Sequence, residues 1–271
     1  MKKIVEKYVE LPRNIRKPLW RIWHNLMIKF DRKSPEETFL NYGYAGEDSE
    51  FSHFELNKKD AKFKYSIQLY AHTARHHDFS NTDVLEVGSG RGGGASFLAR
   101  YFKPNSYTAM DINARTVKFC NSFHKAEGLR FVQGEAEKLP FENEKFHAVV
   151  NVESARCYGN IPKFFSEVKR VLKPGGKFLL ADMIKPADYD AFLVDLEKTG
   201  FKVIEIKNIL PNVVQALRLD SEQRANAIDN KVPKFLRTSF YEFAGVEGSG
   251  RFDAFATNKF GYWSITLEKP A

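Results

Sequence analysis

The sequence predicts an α/β protein with a mostly parallel sheet covered by helices on both faces. Three observations carry that prediction. From residue 83 onward, short apolar runs alternate with amphipathic helical patterns. The runs are nearly continuous in apolar residues, as strands buried on both faces require. A glycine cluster separates the first run from the first helix.

DVLEVG (83–88) reads as the first strand, and ASFLARYF follows it as a helix. SYTAMD (106–111) is the second strand, followed by the helix ARTVKFCNSFHKA. LRFVQG (129–134) and FHAVVNV (146–152) are the third and fourth strands. IPKFFSEVKRVL (161–172) is a helix with proline at its start, stopped by Lys173-Pro174-Gly175-Gly176. KFLLADM (177–183), KVIEIKNI (202–209) and FGYWSITLEK (260–269) complete seven strands. Residues 211–257 are too long for a hairpin loop and carry helical patterns, so they are expected to be a substrate-covering insertion. Upstream, residues 58–77 predict one helix, and residues 34–57 are irregular and aromatic-rich. Ile15, Leu19, Ile22, Leu26 and Phe30 recur at helical spacing, so 13–30 predicts an amphipathic helix. The expected division is a helical arm and cap over 1–77 and the main domain over 78–271.

The net charge of +8 is unevenly placed. Residues 1–33 hold ten Lys or Arg against three acids, leaving the body almost neutral. A nucleic-acid enzyme would more often carry a basic stripe across its main domain, so a nucleic-acid partner is not expected. Nothing approaches 18 consecutive apolar residues, and MKKIVEKYVELPRN lacks the apolar core of a secretory signal. Two cysteines, Cys120 and Cys157, supply neither a disulfide framework nor a zinc site; reduced thiols and a cytoplasmic location are expected. Three readings stay open for the arm: a lid over the cleft, a peripheral contact with an anionic membrane through Trp20 and Trp23 among basic residues, or a protein contact. The sequence is silent on oligomeric state.

The chemistry is concentrated at Glu86-Val87-Gly88-Ser89-Gly90-Arg91-Gly92-Gly93-Gly94. Glycine is needed where a cofactor approaches the backbone and where the turn demands positive φ. Gly88, Gly90 and Gly93 also satisfy G-x-G-x-x-G, so a nicotinamide dinucleotide remains an alternative. Three features favour S-adenosyl-L-methionine, with S-adenosyl-L-homocysteine as product. Glu86 can orient the loop and approach the aminoacyl group. Asp111 ends the second strand, where it can accept from both ribose hydroxyls. Glu135 and the backbone of GEAEKLPF (134–141) suit an adenine edge.

These stretches, with NVESARCY and EVKRVLKPGGKFLLADM, resemble a class I methyltransferase. They are especially similar to the phthiotriol and phenolphthiotriol dimycocerosate methyltransferases and to fatty-acid O-methyltransferases. The resemblance covers roughly residues 40–269 and implies a Rossmann-like sheet of seven mostly parallel strands, the last antiparallel. Carried over by motif, it assigns Glu86, Gly88, Gly90 and Asp111 to the aminoacyl group and ribose. Ile112 and Ala136 would flank the adenine, and Glu135 stands where such families usually have Asp. Asn151 would face the methionine part through its backbone, and Tyr44 and Gln68 would close over the cofactor. It further implies lipid or secondary metabolism, with an apolar small molecule as substrate.

Methyl transfer is an in-line displacement, so positioning and exclusion of water dominate. A hydroxyl acceptor benefits from a base, whereas a carboxylate is already anionic. Relatives often carry His where Arg156 stands. An arginine cannot act as a base, but it can fork a carboxylate. Arg156 is thus expected either to orient an acidic substrate or to have left the base role to another residue. Glu153 is a candidate base or structural acid. His72, with His76 and His77, predicts a solvated helix end rather than a metal site, and His72 is a further candidate base. Three functions remain: O-methylation of a lipid, fatty acid or polyketide-like molecule, nicotinamide-dependent reduction, or a non-catalytic or cyclase-type adenosylmethionine-binding protein.

Overall fold

The computed structural model describes residues 37–47, 51 and 54–271. The predicted helix 13–30, with its lid, membrane and partner readings, lies outside the described residues. The element order is α1 (Lys58–Ala61), α2 (Lys64–Ala74), β1 (Asp83–Val87), α3 (Gly93–Phe102), β2 (Ser106–Asp111), α4 (Ala114–Phe123), β3 (Leu129–Gln133) and β4 (Phe146–Val152). A 3₁₀ turn (Ala155–Cys157) follows, then α5 (Ile161–Val171), β5 (Leu172–Ile184), α6 (Pro186–Glu197) and β6 (Lys202–Asn208). Helices α7 (Leu210–Leu219), α8 (Ser221–Lys231), α9 (Lys234–Ala244) and α10 (Gly250–Ala256) lead to β7 (Gly261–Glu268).

The strands form one sheet in the order β3-β2-β1-β4-β5-β7-β6. The pairs from β3 through β5 are parallel, and β7 runs antiparallel to both β5 and β6. This is the predicted Rossmann-like sheet. Chain order reverses between β1 and β4, and the crevice outside the carboxyl ends of these strands is where α/β sheets of this kind bind ligands.

Alternation along the strands divides the core between two faces. Val84, Tyr107, Ala109, Ala148 and Val150 pack with α2, α3 and α7 on one face. Leu85, Val87, Met110, Val149, Phe178 and Leu180 pack with α5 on the other. Burial of both strand faces accounts for the nearly continuous apolar runs.

Two boundaries differ from the sequence reading. The predicted helix 58–77 is two helices, broken at Lys62-Phe63, because Asn57 caps a first short turn and anchors it through Asp60. Arg100 of α3 holds that same carboxylate with two hydrogen bonds of 2.6 and 2.9 Å. Strand β5 begins at Leu172, so the Lys173-Pro174-Gly175-Gly176 stop is also a β-bulge, with the register against β4 shifting between Phe146 and Ala148. Residues 211–257 are helical, as the pattern predicted.

Candidate functional site: a cleft at the strand ends

A cavity of about 500 Å³ opens at the carboxyl ends of β1, β2, β3 and β4. Its floor is the turn Val87–Arg91, which joins β1 to α3. One side is formed by Asp111–Arg115 after β2 and Gln133–Glu137 after β3. The other is Val152–Ser154 with Arg156–Tyr158, and Thr38–Asn41, Tyr70 and Phe243 complete the wall.

Asp111 is held in one orientation by the loop it serves. Its Oδ2 accepts from the Gly90 amide at 3.0 Å and its Oδ1 from the Asn113 amide at 2.8 Å. The Gly88 and Ser89 amides both donate to the Met110 carbonyl, at 2.8 and 3.0 Å, which fastens the turn to β2. The Gly93 amide donates to the Thr38 carbonyl at 3.2 Å and so fixes the 37–41 segment against the start of α3.

Below the turn, Glu86 is buried and accepts from Tyr70 at 2.9 Å and Tyr107 at 2.8 Å. A Cβ on Gly94 would lie 1.9 Å from the Tyr70 ring, so glycine there lets α3 approach α2 closely enough for this contact. Burial pushes the Glu86 carboxyl up to about 7, against the lowering effect of the two tyrosine hydrogen bonds. A carboxyl raised on folding stabilises below its unfolded value, and that contribution is lost as pH rises through the folded value. From about 4.5 to about 7 the loss amounts to roughly 3 kcal/mol. Glu86→Gln is therefore expected to flatten the pH dependence of stability between those values, measured by urea denaturation across the range. An unchanged slope would remove Glu86 as its source.

On the opposite side of the sheet's midline, Glu153, Arg156 and Asp182 form a buried ion cluster. Arg156 donates to Asp182 Oδ1 at 2.6 Å and to Glu153 Oε2 at 3.2 Å, and its backbone amide donates to Asp182 Oδ2 at 3.0 Å. Glu153 Oε1 accepts from the Tyr42 amide and the Tyr262 hydroxyl, both at 2.7 Å. Burial raises the Glu153 carboxyl, with Arg156 opposing it.

The family follows from sequence likeness over this whole framework. Residues 85–180 match the model described as "Methyltransferase domain". The phthiotriol/phenolphthiotriol dimycocerosates methyltransferase of Mycobacterium tuberculosis is 37% identical over 233 residues, covering 86% of this chain and 85% of that one. This chain belongs to that methyltransferase family. The fatty-acid O-methyltransferase of Mycolicibacterium smegmatis is 36% identical over 239 residues, covering 88% and 86% of the two chains. Among solved structures, the geranyl diphosphate C-methyltransferase of Streptomyces coelicolor A3(2) superposes with a TM-score of 0.63. At 15% identity over 89% of this chain and 91% of that one, the likeness is one of fold.

The methyltransferase brings together Gly88, Gly90, Asp111, Ile112, Glu135 and Ala136 around one cavity, with Glu153 and Arg156 on its far wall. Other expected site residues lie elsewhere. Glu86 sits beneath the turn rather than in the cavity, because alternation along β1 turns it towards α2 and α3. Asn151 is fully buried, donating to the Val87 carbonyl at 2.8 Å and to Tyr158 at 3.1 Å, and the cavity wall begins one residue later. Tyr44 and Gln68 are buried away from the cavity; the residue of that region which does face it is Tyr70.

His72 is not on a solvated helix end. It is 1% exposed and stacked on Tyr44 with ring centroids 4.1 Å apart, outside the cavity lining. Burial lowers its pKa to about 3. Only His76 of the three histidines is solvent-exposed. Arg156 stands on the cavity wall with two protein carboxylates on its guanidinium, Asp182 and Glu153.

Tyr42, Tyr70, Asp182 and Tyr262 were missed. For Asp182 a signal existed, since it is an acid near the end of an apolar strand, as Asp111 is on β2. The tyrosines carry no such mark, because any aromatic on a buried face reads as core. No helix among the described residues is long and apolar enough to cross a membrane, and no group of three potential metal ligands occurs among them.

Proposed function

We propose that this methyltransferase uses S-adenosyl-L-methionine to methylate an oxygen of an apolar small molecule of lipid or related type. The supporting observation is the continuity of one cavity from the Gly88–Gly90 turn and Asp111 to the wall at Glu153 and Arg156. Asp111, fixed by two backbone amides, is oriented to accept from a ribose diol. Ile112 and Ala136 supply apolar walls for an adenine ring, and Glu135 provides a nearby acceptor. The start of α3 places its positive end at the same cavity, suited to the donor's carboxylate. S-adenosylmethionine supplies an electrophilic methyl group on a sulfonium; the protein's part is to align the acceptor and exclude water. Phe39, Leu40, Val152 and Phe243 give the remaining wall an apolar character suited to such an acceptor. The names of the curated relatives, a fatty-acid O-methyltransferase and a phthiotriol-type methyltransferase, point the same way.

Asp111→Ala is expected to weaken S-adenosylhomocysteine binding at least about 100-fold, since two hydrogen bonds to a charged group are lost at roughly 1.5–3 kcal/mol each. Calorimetric titration of wild type and variant measures this, and affinities within threefold of each other would refute the ribose role. Transfer of labelled methyl from S-adenosylmethionine to a lipid extract, with the product tested for an ether or ester bond, tests the reaction itself.

A further inference from the structure

We propose that Asn41 is a further donor-binding residue of this methyltransferase, its side-chain carbonyl accepting from the α-ammonium group of S-adenosylmethionine. This rests on the donor reading above and adds to it a residue from outside the glycine turn and the strand ends.

Asn41 is 6% exposed and forms part of the cavity wall. Its Nδ2 donates to the Ser66 carbonyl of α2 at 3.2 Å. A carbonyl can only accept, so this contact fixes which end of the amide carries the oxygen. At the other end Oδ1 is buried and has no hydrogen-bond partner among the described residues. A buried acceptor without a donor is costly, and the great majority of such groups in folded proteins are satisfied. The main chain is held as firmly as the side chain. Arg224 of α8 donates to the Asn41 and Tyr42 carbonyls, both at 3.2 Å, and the Tyr42 amide is anchored on Glu153. Turning the amide towards another donor would break its contact with Ser66, so the donor has to come to Oδ1.

The place of Asn41 along the wall selects the ligand group. Three residues earlier, the Thr38 carbonyl accepts from the Gly93 amide at the start of α3, the end of the cavity suited to the donor's carboxylate. One residue later, Tyr42 reaches Glu153 beyond β4. Asn41 thus stands between the start of α3 and the wall after β4. Asp111, Ile112 and Ala136, which suit the ribose and adenine, stand instead at the ends of β2 and β3. Of the donor's N–H and O–H groups, the one left for Asn41 is the α-ammonium, on the carbon that bears the carboxylate. A lone amide oxygen accepts from a cation and repels a carboxylate, so its chemistry agrees with its position.

Among the described residues one other buried side-chain atom of the cavity wall lacks a partner, the Ser89 hydroxyl in the turn before α3. A hydroxyl can donate to a carboxylate. The two groups together match the two charged ends of an α-amino acid. The consequence is selectivity: Asn41 would separate the intact donor and its product from adenosine compounds that lack the amino-acid head.

The test is calorimetric titration of the full chain with S-adenosylhomocysteine and with its analogue lacking only the α-amino group. Wild type should prefer S-adenosylhomocysteine at least about tenfold. In Asn41→Ala, S-adenosylhomocysteine should bind about 10–100-fold more weakly, the worth of one hydrogen bond to a charged group, while the analogue stays within about threefold. Asn41→Asp keeps an acceptor and should keep the preference for the amino group; it carries the test if the alanine variant does not fold. Equal losses on both ligands in Asn41→Ala would reduce the residue to a structural role and overturn the proposal. Unchanged affinity for S-adenosylhomocysteine in that variant, or loss of the preference in Asn41→Asp, would take the amide off the ammonium and leave the donor reading intact. Wild type that binds neither ligand would count against both.

Discussion

Gly88→Ala should abolish detectable S-adenosylhomocysteine binding and lower stability by roughly 2–5 kcal/mol. Two effects act together. Gly88 sits at φ +81°, where a Cβ costs about 1–2 kcal/mol in backbone strain. That Cβ would also lie 1.8 Å from Ser154 Oγ and 2.8 Å from the Tyr158 hydroxyl, an overpacking worth about 1–3 kcal/mol. Ser154 cannot simply turn aside, because its Oγ is hydrogen-bonded to Tyr158 at 2.7 Å and Tyr158 is tied to Asn151 at 3.1 Å. The displacement must therefore spread through the wall from β4 or through the turn itself. For a chain of this size the melting temperature should drop by about 4–20 °C. Pairing the change with Ser154→Gly should recover part of the stability, since it removes the nearest collision. Wild-type affinity in the single variant would show that the turn does not hold the donor.

Arg156→Leu should cost roughly 3–4 kcal/mol, because removing one partner of a buried ion cluster leaves the others uncompensated. The side chains of Glu153 and Asp182 are 5% and 4% exposed, so water cannot replace the guanidinium at either. Arg156 itself is 24% exposed, which keeps the loss from the top of the range for such pairs. The loss has a definite sign with pH. Burial already raises the Glu153 carboxyl against the pull of Arg156, and without Arg156 it rises further. A carboxyl raised on folding favours the folded state at acid pH and ceases to do so as pH climbs through its folded value. The deficit of the variant should thus narrow towards acid pH and widen above the ordinary carboxylate range, in denaturant titrations at several pH values. Arg156→Lys should fall between, keeping the charge but losing the two-carboxylate fork. Lost turnover in Arg156→Leu with undiminished stability would instead place the guanidinium on the substrate.

The sheet was legible because its strands are buried on both faces, and short apolar runs at βα spacing have few other uses. The same held for the part of the cleft at the ends of β1 and β2. Gly88 and Gly90 follow directly on β1 and Asp111 ends β2, and local backbone demands select their residue types. The part at the end of β4 was less legible. Arg156 invited a carboxylate-binding reading because sequence spacing cannot show that Asp182, 26 positions later, stands across from it on β5. His72 read as solvated because its neighbours are polar, yet Tyr44 stacks on it from a segment with no regular structure.

The glycine turn, the order of strands and helices, and the acid at the end of β2 are properties of local sequence, since each depends on the conformation a few adjacent residues can adopt. The direction in which Glu86 points, the pairing of Arg156 with Asp182 and the anchoring of Glu153 by Tyr42 and Tyr262 depend on residues 16 to 111 positions away. Pairings at that separation are created by sheet register and helix packing, so only the tertiary structure could decide them.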